Sequence, residues 1–224
     1  MTESNINVKV SNLALENSKF NCEFNTPQNF GNVIDLTSFN LTSSNLDADR
    51  LAVLSEKMMK AAETPSSSSS SNANKTSSSS SSDNIPLKIS KGTVKIDKLT
   101  SGELVFTNIN SPFTLNNNTV YLNGMTLNAY DGTISGDVSY NIISTLIKAK
   151  LSGNSMDANR FISAAALIKD QLFGTLKFDT DVSLSGSTYQ EQMKTLNGTA
   201  NFTIENGKLG SLGSIETFLG ANNL

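Results

Sequence analysis

Apolar and polar residues alternate along most of this chain, and the alternation limits the fold more than any other feature of the sequence. Successive side chains of a β-strand point to opposite faces, so a period of two predicts strands with one apolar and one polar face. We therefore predict a mainly β protein with two or three short helices. The clearest alternating pairs are Val94 and Ile96, Leu104 and Phe106, Phe113 and Leu115, Val120 and Leu122, Leu127 and Ala129, Leu176 and Phe178, Val182 and Leu184, and Phe202 and Ile204.

Short turn sequences separate the alternating runs and predict how the strands connect. Asn123-Gly124 and Asp131-Gly132 supply residues that readily adopt positive φ, which two-residue hairpin turns require. The last alternating run ends at Asn206-Gly207. Hairpins reverse the chain between neighbouring strands. We therefore predict a long, curved antiparallel sheet, a meander that forms a groove or a half-open taco.

Two segments break the alternation with apolar residues at helical spacing, and they begin in nearly the same way. Residues 46–51 read LDADRL, and residues 156–161 read MDANRF. In each, an Asp precedes the helical positions and is suited to cap the helix N-terminus. We predict one helix after Asp47 and a second near 157–172. Because each block follows a run of strands, we interpret them as an internal repeat of strands plus one helix.

A serine-rich segment divides the chain. Residues 66–71 and 77–82 are two runs of serine. Uncharged serine tracts cannot bury enough apolar surface to offset chain entropy, so we predict a disordered linker over 64–84. The predicted organisation is a first repeat unit over 1–63, strands ending in a helix, then this linker, then a β domain over 85–224.

Composition removes most enzyme classes. The chain has no His, no Trp and one Cys, so it lacks the residues of His-dependent triads, His-containing zinc sites and CxxC redox pairs. The remaining candidate catalytic residues are two acidic pairs, Asp47 with Asp49 and Asp179 with Asp181. Asp47 suits a helix cap, and Asp179 and Asp181 share a strand face that we expect to be solvated. We therefore predict a non-enzymatic protein without cofactor or metal.

The charge of the chain argues against nucleic-acid binding. Seventeen Lys and Arg residues against twenty Asp and Glu residues give a formal net charge of -3. The basic residues are scattered along the sequence and form no stripe that would attract a polyanion. We expect no nucleic-acid partner.

The predicted sheet has more apolar surface than two short helices can cover. Such a sheet must close on itself, pair with a second sheet, or leave an apolar trough. A trough lined with Val, Ile, Leu and Phe would suit acyl chains, whereas a filled sandwich would be an ordinary closed core. The alternation is compatible with both.

Several motifs, taken in order, resemble the C-terminal region of AsmA-like proteins. They cover most of the chain after the linker, and residues 5–63 resemble the preceding part of the same region. In chain order they are IPL (85–87), GTVKID (92–97), VYLNG (120–124), YDGTISG (130–136), MDANR (156–160), FGTL (173–176), LSG (184–186), LNGT (196–199) and ENGKL (205–209).

The resemblance implies an envelope protein of diderm bacteria, in the wider group of TamB-type and other repeating β-groove proteins. Proteins of this group are anchored in the inner membrane by an N-terminal helix and extend into the periplasm. Their U-shaped sheet carries an apolar groove thought to conduct phospholipids toward the outer membrane. From the resemblance we expect a periplasmic location and a role in outer-membrane biogenesis. We expect membrane contact through parts missing from this chain, in which no segment matches the anchoring helix.

The resemblance also implies the partners, namely phospholipid or another acyl lipid and envelope assembly proteins. The candidate groove-lining residues are the alternating apolar ones, and we expect the larger apolar set to face inward. They are Val94, Ile96, Leu104, Phe106, Val120, Leu122, Leu127, Phe178, Val182, Leu184, Phe202 and Ile204.

Two other functions remain open from the sequence. A structural or assembly module with a closed β core would act through protein contacts in outer-membrane assembly. An extracellular adhesin or glycan-binding β domain would present exposed aromatic platforms, which the absence of Trp disfavours.

Overall fold

The structure is a computed structural model that describes residues 5–28, 32–54 and 86–210. Within these ranges the chain is mainly β, as predicted. The linker predicted for 64–84 and the distal part of the first predicted helix lie outside the described residues. In chain order the strands are β1 (Asn5–Leu15), β2 (Ser18–Pro27), β3 (Ile34–Leu36), β4 (Ser38–Asp47), β5 (Leu87–Ser101), β6 (Leu104–Asn116), β7 (Thr119–Ala129), β8 (Gly132–Asn141), β9 (Ile147–Asp157), β10 (Leu172–Leu184) and β11 (Asn197–Leu209). The helices are α1 (48–54), α2 (Ala158–Ala166) and α3 (Tyr189–Thr195).

The described strands form one long open sheet that does not close into a barrel. The strand order across the sheet is β1-β2-β4-β5-β6-β7-β8-β9-β10-β11. The short strand β3 is not in this order and pairs with β5. The strands before and after the serine-rich segment therefore share one continuous sheet. We call the end of the sheet where β4 and β9 lead into α1 and α2 the lower end, and the opposite end the upper end.

Strand direction departs from the predicted antiparallel meander where β5 joins the sheet. β4 and β5 are parallel, with Phe39 opposite Gly92. β3 also runs parallel to β5, with Leu36 opposite Ile89, so β3 and β4 lie in line along one side of β5. The antiparallel prediction holds for the pairs β1–β2 and β2–β4 and for every described pair from β5 to β11. It fails where β5 joins β3 and β4, because the chain leaves β4 at the lower end and re-enters the sheet at the upper end. The sheet is therefore mixed.

Residues with positive φ interrupt two strands where the sequence predicts turns. Gly124 (φ 68) lies inside β7, and Asn206 (φ 52) lies inside β11. The register of β7 with β8 shifts between Leu122 and Met125, so Asn123-Gly124 forms a β-bulge. The turn prediction was wrong because a bulge uses the same positive-φ residues as a hairpin turn while the strand continues.

The turn between β7 and β8 is the hairpin that the sequence predicts, displaced by one residue. Tyr130 (φ 47) and Asp131 (φ 68) are its two central residues, and Ala129 pairs with Gly132. Positive φ at both central positions is the type I′ geometry that matches the twist of the flanking strands.

Both predicted helix caps are confirmed. The carboxylate of Asp157 accepts a hydrogen bond from the backbone N of Arg160 at 2.9 Å, and that of Asp47 accepts one from Arg50 at 3.1 Å. Helix α2 is shorter than the predicted 157–172 because Leu167 adopts a left-handed conformation, φ 58, at its C-cap. Leu172 accordingly begins β10 instead of ending the helix.

The buried side chains form two clusters. The first cluster lies toward the lower end and consists of Ile96, Ile109, Met125, Leu127, Ala129, Ile134, Met156, Ala158, Leu176 and Phe178. The second cluster lies toward the upper end and consists of Leu36, Ile89 and Leu115.

Candidate functional site

The cross-strand register places all twelve predicted lining residues on one side of the sheet, which we call the apolar face. Residues directly opposite each other in a ladder point to the same side. On the other side, the outer face, Lys150 of β9 lies between Asp137 of β8 and Asp181 of β10. A representative row across the apolar face, from β5 to β11, is Gly92, Phe113, Leu122, Val138, Ala149, Val182 and Gly198.

Burial separates the twelve residues into groups. Ile96, Leu127 and Phe178 are buried members of the first cluster, so in this structure they are packing residues. Phe202 lies on β11, a strand at the edge of the described sheet, and is 61% exposed. The remaining eight are half-buried. Val94, Phe106, Leu122 and Ile204 pack against the first cluster and Val120 against the second, and each of the eight keeps part of its apolar surface exposed.

Exposure rises from the lower end to the upper end along β7, β8, β9 and β10. On β10, Leu176 is 2% exposed and Leu184 is half-buried; on β8, Ile134 is 5% exposed and Tyr140 is 38% exposed. Upper-end residues of these four strands therefore form a continuous, incompletely covered surface, which we call the half-buried strip. It consists of Leu122, Val138, Tyr140, Ile147, Ala149, Leu151, Val182 and Leu184.

Helix α2 covers the apolar face below the strip. It contacts β6, β9 and β10, and Ala158 in its first turn is fully buried. The ring of Phe161 stacks on Phe178 of β10 at 6.1 Å between centroids and meets Tyr130 edge-on at 5.8 Å. Aromatic pairs at such distances add to the stability gained from area burial. The strip is therefore closed off at its lower end by a packed helix.

Two glycines allow large side chains to lie flat against the sheet beneath α2. A Cβ at Gly132 would stand 2.5 Å from Cγ of Met156, which is fully buried. A Cβ at Gly153 would stand 2.6 Å from Cδ1 of Phe178. Real Cβ atoms do not approach other atoms so closely, so the glycines make room for the first cluster. The lower end is consequently filled, in contrast to the strip.

The second cluster bounds the strip on the β6 side. Half-buried Phe113, Val120 and Ile142 pack against its buried residues, including Leu115. On the β11 side the strip adjoins an outer strand in which Ala200 and Gly198, the residues next to Thr180 and Val182, are small and exposed. The strip is therefore bordered by large packed side chains on the β6 side and by small exposed residues on the β11 side.

Sequence reasoning named three of the eight strip residues and missed the other five. Leu122, Val182 and Leu184 were predicted to line the groove. The five missed residues lie on the central strands β8 and β9, and they are Val138, Tyr140, Ile147, Ala149 and Leu151. The alternation of Ile147, Ala149 and Leu151 with two lysines is the signal that identifies β9 as a strand with one apolar face.

The acidic pairs occupy structural positions. Asp179 on the outer face accepts a hydrogen bond from the hydroxyl of Ser152 at 2.5 Å, and Asp181 is exposed. Asp49 accepts a bond from the backbone N of Gly102 at 2.6 Å, which ties α1 to the β5–β6 turn. Within the described ranges, no group of three or more His, Cys, Asp or Glu side chains is placed to hold a metal ion.

Cys22 is a half-buried free thiol. It lies on the apolar face of β2, opposite Val10 of β1 and Leu41 of β4. Burial raises the pKa of its thiol, because the thiolate is disfavoured away from water. The thiol is therefore a poor nucleophile at neutral pH.

The strip can bind through apolar contact alone. It contains no Asp, Glu, Lys or Arg, and the polar side-chain groups on this surface are the hydroxyls of Tyr140 and of Thr180, which lies between Phe178 and Val182 and donates to the backbone O of Leu151 at 3.5 Å. A surface of this kind favours hydrocarbon over polar or ionic ligands, because burying an unpaired polar group costs free energy. None of the helices in the described part of the chain is long and apolar enough to cross a membrane.

Comparison with known proteins identifies the family. No curated protein matches the chain, and no solved structure does. The sequence model of the AsmA family matches residues 1–222, essentially the whole chain, and the open, mainly β sheet agrees with the fold expected from the resemblance. This chain belongs to the AsmA family.

Proposed function

We propose that this protein binds the acyl chains of phospholipid or another lipid on the half-buried strip and takes part in lipid transport and outer-membrane biogenesis. Membership of the AsmA family suggests an envelope-related role, and the family is generally not enzymatic. The observation that carries the proposal is the rise in exposure along β7–β10, from a filled core to open apolar surface.

The physical argument concerns the cost of leaving the strip exposed. Valine, leucine and isoleucine side chains at the centre of a sheet gain roughly 1.5–3 kcal/mol each when they are fully covered. Each strip residue is only half-buried or exposed. An acyl chain lying on the strip would supply the missing cover, at about 0.8 kcal/mol per buried methylene.

Family membership supports an envelope setting for the proposal. We place the strip in the periplasm, in a protein whose full length is anchored in the inner membrane, and we infer that phospholipid moves toward the outer membrane along surfaces of this type. Family membership supports an association with the envelope. The strip supports hydrocarbon as the part of the lipid that is recognised.

The first test is to purify the protein, extract it with organic solvent and identify bound lipid by mass spectrometry. We expect phospholipid in the wild-type extract. Leu122→Glu should lose the lipid, because it places a charge on the strip. Tyr121→Glu is the matched control, because Tyr121 is the preceding residue of β7, is 39% exposed and faces the outer side.

The results separate the proposal from its failure. Loss of lipid in Leu122→Glu with retention in Tyr121→Glu would support binding on the strip. A folded wild-type protein that carries no lipid and binds no fluorescent acyl probe would refute the proposal.

A second candidate function is a structural or assembly module that acts through protein contacts. It is favoured by the outer strands of the described sheet, β1 and β11, which present apolar side chains at Leu13 (43% exposed) and Phe202 (61% exposed). Outer strands pair readily with strands of other proteins. Co-purification of an envelope protein, lost in a Leu13→Lys variant that still binds lipid, would support this function in addition to the first.

A further inference from the structure

We propose that a bound acyl chain lies along strands β8–β10 with its terminal methyl against Phe161 of α2, so that Phe161 sets the longest chain that fits. This inference rests on the proposed function and adds the direction of the chain and a residue that determines specificity. It makes the strip a blind trough that is entered from the upper end.

The position of Phe161 supports its role as the end of the trough. Its ring lies between Tyr130 of the β7–β8 turn and Phe178 of β10, at 5.8 and 6.1 Å between centroids. Phe178 in turn is 6.1 Å from Phe202 of β11. Phe178 and Phe202 lie opposite each other on β10 and β11, at the level where β10 changes from buried to half-buried, and the ring of Phe161 stacks on Phe178. A chain advancing along β10 from the upper end reaches these rings where the strip ends.

The length of the strip suits one acyl chain placed along the strands. Leu184 lies six positions after Phe178 on β10, and a strand rises about 3.3 Å per residue, so the two residues are about 20 Å apart. The hydrocarbon core of a bilayer is about 30 Å thick, so one acyl chain spans about 15 Å of its leaflet. A single chain can therefore lie on the strip with its polar end at the upper rim.

A chain placed across the strands would meet an obstacle. The second cluster, with Phe113 and Val120 packed on Leu115, stands on the apolar face at the β6 side of the strip. Crossing toward β5 would require these packed side chains to separate. The described residues leave the path along β8–β10 open, and that path ends at α2.

The first experiment uses the absence of Trp from this chain, which makes an introduced indole the only one. Phe161→Trp and Leu184→Trp are each mixed with phospholipid brominated either at the end of the acyl chain or near the carboxyl group. We expect terminal bromine to quench the indole at position 161 more strongly and carboxyl-proximal bromine to quench the indole at position 184. Equal quenching at both positions, or the reverse order, would overturn the inference.

The second experiment measures how affinity depends on chain length. For wild type we expect affinity for fluorescent fatty acids to rise roughly fourfold per methylene and then level off when the chain reaches Phe161. In Phe161→Ala the plateau should move to longer chains. Tyr121→Ala on β7 is the control, because Tyr121 is 39% exposed and faces the outer side.

The outcomes distinguish this inference from the proposed function. If no chain length binds, the proposed function fails. If lipid binds with no plateau, or with the same plateau in Phe161→Ala, lipid binding stands and the blind trough is wrong. If Phe161→Ala does not fold, the smaller change Phe161→Leu and the quenching at Leu184→Trp still decide the direction of the chain.

Discussion

The ring of Phe178 on β10 lies over the backbone of Gly153 on the neighbouring strand β9, in the space that a Cβ would occupy. We expect Gly153→Ala to force this ring out of the first cluster and to lower the free energy of unfolding by about 1–3 kcal/mol, the usual cost of overpacking. Urea denaturation followed by circular dichroism would measure the change.

A second glycine provides the control for this prediction. Gly124 has φ 68, and no atom lies within 4 Å of a Cβ built on it. Gly124→Ala should cost about 1 kcal/mol from backbone strain alone. If Gly153→Ala proves no more harmful than Gly124→Ala, the ring of Phe178 is free to move and the lower end is less tightly filled than we describe.

The caps of α1 and α2 should contribute to stability by similar amounts. Asp157→Ala removes the acceptor for the backbone N of Arg160, and Asp47→Ala removes the acceptor for that of Arg50. Each should lower the free energy of unfolding by about 1 kcal/mol, whereas Asp157→Asn should be nearly neutral because Asn caps equally well. Equal losses for Asp157→Ala and Asp157→Asn would show that charge matters more than the hydrogen bond.

The ion pair between Arg160 and Asp131 should contribute little to the free energy of unfolding. Nη1 of Arg160 lies 2.7 Å from the Asp131 carboxylate, but the two side chains are 55% and 72% exposed. Exposed pairs contribute roughly 0.2–1 kcal/mol and are weakened by salt. A double-mutant cycle with Arg160→Ala and Asp131→Ala should therefore give a small coupling energy that falls further in 1 M NaCl. A coupling that is large and independent of salt would contradict this prediction.

The thiol of Cys22 should react slowly and affect stability only at alkaline pH. Because burial raises the pKa of this thiol in the folded state, its thiolate fraction at pH 8 is lower than in the unfolded chain. The stabilisation linked to this shift is fully present below the pKa of the unfolded thiol and is lost as pH rises through the folded value.

Alkylation kinetics with iodoacetamide, followed from pH 7 to 11, would measure this shift. Wild type should react with an apparent pKa above that of the urea-unfolded protein. Coincident profiles for the folded and unfolded protein would contradict the prediction, and Cys22→Ser controls for reaction at other groups.

Much of the fold could be predicted from alternation, because burial on one face fixes the side to which each apolar residue points. The caps at Asp47 and Asp157 were predictable as well, since a capping side chain acts on backbone groups only three residues away. Both features depend on residues that are close together in the chain, so a single sequence is enough to predict them.

Features that depend on distant partners could not be predicted. The sequence Asn123-Gly124 indicates a residue with positive φ, and it was therefore interpreted as a turn. The continuation of β7 past Gly124 depends on pairing with β6 and β8, which the local sequence does not specify. The parallel pairing of β4 with β5 depends on where the chain re-enters the sheet. Phe178 is buried and Leu184 only half-buried because α2 covers the lower end of β10, and alternation alone predicted the same lining role for both residues.

The parallel pairing of β4 with β5 also determines the polarity of the whole sheet. β5 begins the second series of strands in the same direction in which β4 ends the first, and β11, the outer strand, runs in that direction too. A further series added beside β11 through the same kind of parallel joint would reproduce the orientation of β5, with its apolar side on the same face. The architecture is thus modular: its joint can be repeated in series, and each repetition would add strands whose apolar sides lie on the same face of one sheet.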